Sequence, residues 1–193
     1  MDPRSQADAS RPSPAHASLA LRAGVACVWL MTGVLVLHPY YRAVGTSYLD
    51  RIHLPAWLMW TTCAAEVGIA VAVVAARAWS LLTVLQLGMV ATFTLILSVA
   101  DPMLLASPFG VLTKNVPLVA ALIAAALLER EGWSPRATWV LRAGMAVIWL
   151  TEGLVPKILF QQDVELGIAV GSGLSFGHPQ AMLRVIGAAQ ILG

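Results

Sequence analysis

The chain has 193 residues, 59% of them hydrophobic and only 11% charged, where soluble domains carry roughly 25% charged residues. That balance, with a mean hydropathy of +0.77, excludes an ordinary soluble enzyme, and the small net charge of +2 from scattered basic residues excludes a nucleic-acid-binding surface. Crossing about 30 Å of hydrocarbon takes roughly 20 apolar residues, so the length accommodates about six helices with short loops and no sizeable soluble domain.

Residues 1–17, rich in Pro, Ser, Ala and Asp and without apolar period, read as a disordered tail. The apolar run that follows is too long for a signal-peptide core. The first span is expected from Leu19 to His38, ended by Pro39, with Arg22 in its first turn snorkelling to the headgroups. After it, Tyr40, Tyr41 and Tyr48 suit a membrane interface, and Ser47 to His53 form one or two turns lying there.

The second span, Ala56 to Ala76, opens with Trp57 and Trp60 as interface anchors and carries Ala64, Gly68, Ala72 and Ala76 at intervals of four. Such a stripe invites a close helix neighbour. Glu66 points about 200° away from it, so two faces need protein partners and the span is expected inside the bundle. The third span, Ser80 to Ala100, includes Gln86, Thr92 and Thr94 and stops at Asp101-Pro102; the fourth starts as early as Pro108 and runs to Leu128, with Lys114 and Asn115 in its first turns. Cys27 and Cys63 both fall in apolar runs at different depths and read as small buried hydrophobes rather than a disulfide.

Beyond a charged hinge at 130–137, the chain repeats itself. Leu21 to Gly33, LRAGVACVWLMTG, returns as LRAGMAVIWLTEG at Leu141 to Gly153, with eight of thirteen positions identical at an offset of 120. Such internal similarity marks a duplicated unit. The fifth span, Thr138 to Phe160, contains Glu152, Pro156 and Lys157, and Gln161 to Gln180 read as a pliable loop. A sixth apolar run, Ala181 to Gly193, is too short to cross. At an offset of 124, Pro179 matches Pro55 and Gln190 matches Glu66.

The fold class expected is therefore all-α: a polytopic transmembrane bundle of about five full spans and one truncated, with a four-helix unit over 18–129 and the first half of a second over 138–193. The chain is expected to be either a fragment or a protein ending in a degenerate half-repeat. Seven Lys and Arg on the N-terminal side against five on the other place the N-terminus in the cytoplasm.

Ionisable groups inside a bilayer are the sharpest chemical signal, because each costs about 2.5 to 3.5 kcal/mol at a helix centre. Glu66 lies roughly 15 Å into its span, Lys114 enters from the same membrane side, and Glu152 takes the place of Thr32 with Lys157 five residues on. With Asn115 these five line the candidate polar pocket. Two readings stay open: mutual satisfaction that sets helix register, or a pocket for a redox-lipid headgroup or a proton relay. His53 and His178 each precede a span-opening proline, but their spacing gives no metal site, and the chain carries no CxxC, GxGxxG or phosphate loop. No covalently bound cofactor is expected.

LRAGxAxxWLxxG in both copies, Ala64-Ala65-Glu66, the segment Pro108 to Pro117 (PFGVLTKNVP) and GLVPKILF at Gly153 to Phe160 together resemble the DoxX-like family of small four-helix membrane proteins. The resemblance covers residues 18–193 and implies a prokaryotic cytoplasmic-membrane protein of four-helix units, with a link to quinone-coupled oxidoreductase systems and a membrane redox partner subunit. It implies that Glu66, Lys114 and Asn115 line any site, and Gln190 departs from the acid expected at the equivalent place. The alternatives are a structural anchoring bundle without ligand and, disfavoured because no full span is broken at its centre, a solute transporter.

Overall fold

A computed structural model of the chain describes residues 12–75, 79–107 and 110–193. The order of elements is α1 (Pro14–Val34), a 3₁₀ turn (Leu35–Leu37), α2 (Pro39–Arg51), α3 (Trp57–Ala75), α4 (Trp79–Ala100) and a second 3₁₀ turn (Pro102–Ala106). Then come α5 (Asn115–Glu131), α6 (Pro135–Leu154) running on as a π turn (Val155–Leu159), α7 (Asp163–Gly171) and α8 (Pro179–Leu192). The described residues contain no strand.

Local sequence accounts for the helix starts. Ser13 accepts from the His16 N–H ahead of Pro14, and Ser134 accepts from the Ala137 N–H ahead of Pro135, so both members of the repeated segment begin with a serine cap and a proline at the first position. Through its cap α1 starts at Pro14, before the expected Leu19, and takes up the end of the expected tail. Four helical stretches, Pro14–Leu37, Trp57–Ala75, Leu81–Ala100 and Pro135–Leu159, are long and apolar enough to cross a membrane. The chain is thus a multi-pass membrane protein.

The centre of the bundle is α5. Leu122, Ala124 and Ala125 on it are completely buried, and it packs against α1, α4 and α6. The main cluster joins Val25, Ala26 and Trp29 of α1, Ile69, Ala70 and Val73 of α3, Val90 of α4 and Leu122 and Ala125 of α5. The expectation that α3 is interior gives way here: Val74 is 74% exposed and Val71 63%, so α3 buries only one side, mainly against α1 with smaller contacts to α2 and α4. The stripe of small residues is not the contact. Ala64 and Gly68 are exposed and a Cβ on Gly68 would meet nothing within 4 Å; Ala76 lies outside the described residues.

The close approach comes from the other helix. A Cβ on Gly33 would stand 2.8 Å from the Cys63 carbonyl oxygen and 2.8 Å from Val67, and one on Gly153 would stand 2.7 Å from the Gly187 carbonyl oxygen and 3.0 Å from Ile191. The same crossing thus joins α1 to α3 and α6 to α8. Gly144 plays a similar part where α6 meets Ala120 of α5.

Three local expectations change. Cys63 is buried but Cys27 is exposed, and both are free, because the Cys27 side of α1 turns from the core. The interfacial segment after α1 is a full thirteen-residue helix, α2. The expected loop after the fifth span contains α7, whose first turn carries Asp163 and Glu165, acids that suit the positive end of a helix.

Gly33→Ala is therefore expected to destabilise the bundle by about 1 to 3 kcal/mol through overpacking, seen as a lower unfolding midpoint in detergent. Gly24→Ala, whose Cβ would meet nothing within 4 Å, should leave that midpoint unchanged or slightly raised.

Candidate polar site at the start of α5

The turn that enters α5 organises the site. Lys114 N–H bonds the Gly110 carbonyl at 3.1 Å, Asn115 N–H that of Leu112 at 3.0 Å and Val116 N–H that of Thr113 at 3.0 Å, while Leu112 anchors the turn by burial. Gly110 has φ 60°, and a Cβ there would stand 3.0 Å from the Glu152 Oε1. Glycine answers both constraints at once. The expected start of this span at Pro108 moves to Asn115, because 110–114 form this turn; Pro108 and Phe109 lie outside the described residues.

Consecutive residues of a helical turn diverge by about 100°, so Thr113 and Asn115 at the head of α5 address two different helices. The Thr113 hydroxyl donates to Glu152 Oε1 of α6 in a short hydrogen bond. Asn115 Nδ2 donates to Thr94 Oγ1 of α4 at 2.8 Å, and Thr94 donates in turn to the Val90 carbonyl at 2.7 Å. Glu66 of α3 lies in electrostatic range of Lys114 and beside Thr32 of α1, whose hydroxyl donates to the Val28 and Trp29 carbonyls of its own helix at 3.0 and 3.1 Å. No direct ion pair joins Glu66 to Lys114 among the described residues. The Lys114 side chain is exposed and Glu66 is half-buried, which leaves the couple accessible.

Three of the five candidate residues, Lys114, Asn115 and Glu152, thus meet at one turn, with Glu66 across from it on α3 in electrostatic range of Lys114. Lys157 does not join them. It lies in the π turn and pairs at 2.8 Å with Glu165 of α7, the two side chains only 11% and 12% exposed, and its Cβ packs so near α8 that a Cβ on Gly187 would stand 2.9 Å away. Sequence reasoning passed over Thr32, Thr113 and Glu165; Thr113 stood inside the quoted PFGVLTKNVP motif, and Glu165 was hidden in a segment read as loop.

Two further polar contacts brace the bundle. Trp29 Nε1 donates to Gln86 Oε1 at 2.8 Å, and Gln86, fully buried, donates to the Leu82 carbonyl. At the opposite end of α1, Arg22 does not snorkel away: it bonds the Val73 carbonyl at 2.7 Å and Glu129 at 3.4 Å, and Ser18 joins Glu129 at 2.9 Å.

A bundle of apolar helices with polar groups gathered on one turn inside it defines a helical integral membrane protein. A family model described as the DoxX-like family matches residues 26–123, half of the chain, and the chain belongs to that family. The match runs from α1 into α5 and takes in Glu66, Lys114 and Asn115 but not Glu152. No curated protein and no solved structure matches the chain.

Thr113→Val should leave the Glu152 carboxylate short of its donor and cost about 1 to 3 kcal/mol. Thr113→Ser, which retains the hydroxyl, should stay near the wild-type unfolding midpoint in detergent, and equal losses in both variants would show that the hydroxyl is not what matters.

Proposed function

We propose that the chain serves a quinone-linked redox system of a prokaryotic cytoplasmic membrane, its N-terminus inside, by presenting Glu66 and Lys114 to a quinone headgroup on the non-cytoplasmic side. The observation that carries this reading is Glu66, a half-buried acid near the middle of α3, with Lys114 in electrostatic range and no direct ion pair between them among the described residues. Ionisable groups at membrane depth are retained where they bind polar ligands or move protons. A bound quinone would supply the redox chemistry. The chain's part is to donate a hydrogen bond from the Lys114 ammonium to a ring oxygen and to hold a proton at the Glu66 carboxyl.

Glu152 and Asn115 are already engaged with Thr113 and Thr94, so they support this site rather than touch a ligand. The same engagement favours a second reading, an anchoring bundle in which every polar group serves helix register. A redox partner subunit in the membrane goes with the first reading.

We also read the chain as one unit over 18–129 and part of a second over 138–193. In support, Gly33 and Gly153 make the same helix crossing with partners 124 residues apart. His53 (φ 56°) and Gly177 (φ 82°) take left-handed backbone at that same offset, each two residues before a proline.

Titration of the purified protein in nanodiscs with a short-chain benzoquinone, followed by tryptophan quenching, tests the ligand. Saturable quenching should weaken at least tenfold in Glu66→Gln and in Lys114→Met at unchanged helix content. Quenching that is linear in wild type, or equal in all three proteins, would favour the anchoring bundle.

A further inference from the structure

We infer that the groove at the start of α6 binds an anionic phospholipid, its phosphate on the Arg142 guanidinium. This site lies at the other end of α5 from Lys114 and does not rest on the function proposed above.

The equivalent place on α1 shows what such a pair of positions holds. Ser18 and Arg22 both donate to one carboxylate oxygen, Glu129 Oε1, at 2.9 and 3.4 Å. At an offset of 120 the same positions on α6 are Thr138 and Arg142, again a hydroxyl and a guanidinium one turn apart. No acid among the described residues meets them. Thr138 donates to the Ser134 carbonyl of its own helix at 3.3 Å, and Arg142 is exposed without a hydrogen bond or ion pair to any described residue. Glu131, at the same end of the bundle, is taken by Arg136 at 3.8 Å. Arg142 stands about 10 Å past Pro135 along a helix long and apolar enough to cross a membrane. A bare guanidinium is costly there, so its anion comes from outside the chain and takes the place that Glu129 has beside Arg22.

The surroundings fit a phosphate. Arg142, Thr138 and Ser134 line a groove of about 320 Å³ whose other walls are Trp133, Pro135 and Trp139, enough for a headgroup. Ser134 Oγ accepts from the Ala137 N–H and keeps its own proton to donate. Thr138 redirects its proton to the phosphate as Ser18 gives its own to Glu129. Trp133 is fixed by its Nε1, which donates to the Pro12 carbonyl at 2.8 Å, whereas Trp139 is exposed, as suits an aromatic ring at the membrane interface. Guanidinium forks match phosphate oxygens two at a time, and basic pockets among membrane helices take anionic headgroups.

The strip of α6 beyond the groove selects a lipid over free phosphate. Met145 and Trp149 follow Arg142 at helical spacing and are both exposed, so an acyl chain tied to the phosphate runs along them. Their counterparts on α1, Val25 and Trp29, are buried in the core and leave no room for one.

The full chain in detergent, titrated with dioleoyl phosphatidylglycerol, dioleoyl phosphatidylcholine or inorganic phosphate and read by native mass spectrometry, tests the site. Phosphatidylglycerol should be retained about tenfold more tightly than phosphatidylcholine, and Arg142→Gln should abolish that preference at unchanged helix content. Thr138→Val, which keeps every charge, should weaken phosphatidylglycerol about threefold. Arg136→Gln, which removes an exposed charge from the same end of α6, should match wild type. Equal retention in wild type, Arg142→Gln and Thr138→Val overturns the site, and so does an equal loss in Arg136→Gln, which marks surface charge alone. Displacement of the lipid by millimolar inorganic phosphate overturns the lipid in favour of a soluble anion.

Discussion

Polar groups in a bilayer cannot be left to solvent, and that constraint is concentrated at the start of α5. Hydrocarbon offers no partners, so the residues between Gly110 and Val116 must find theirs among the surrounding helices. They do so in two directions at once, with Thr113 to α6 and Asn115 to α4, while Lys114 between them stays exposed. Central α5, whose Leu122, Ala124 and Ala125 are completely buried, is the helix these contacts surround. Its small residues Ala120, Ala124 and Ala125 let neighbours approach, and its polar head determines which neighbours they are.

Glycine sets the second rule of the architecture. Between apolar helices in lipid there is little hydrophobic force, so packing and close backbone contact drive association. Gly33 and Gly153 supply that contact for α1 on α3 and α6 on α8. The two crossings differ in what surrounds them. Trp29 is 3% exposed with its indole N–H held by Gln86, whereas Trp149, 120 residues later in the same motif, is 45% exposed. The amide from α4 is what completes the first arrangement.

The ends of the helices carry the remaining polar work. Arg22, Ser18 and Glu129 tie α1 to α5 and to the last turn of α3, and Arg51 with Asp101 ties α2 to the end of α4 at 3.1 Å. Exposed pairs of this kind add little stability. The Lys157–Glu165 pair is different, because the two side chains are only 11% and 12% exposed. Buried pairs rarely out-stabilise apolar packing, and their better-attested contribution is to specify one arrangement, here α7 against the π turn of α6.

Composition and periodicity alone established an all-helical membrane bundle, because hydrocarbon thickness sets span length and only unbroken apolar runs satisfy it. The residues worth watching were legible for the same reason: Glu66, Lys114 and Glu152 are costly in lipid wherever they stand. Partnership was not legible. Whether Glu152 turns to α8 or to α5, whether Lys157 joins the site or pairs with α7, and whether α3 or α5 holds the centre all depend on the rotation of each helix about its axis. Contacts far apart in sequence decide that rotation, Gly33 on Cys63 and Gly153 on Gly187 among them, and a one-dimensional pattern carries no record of it.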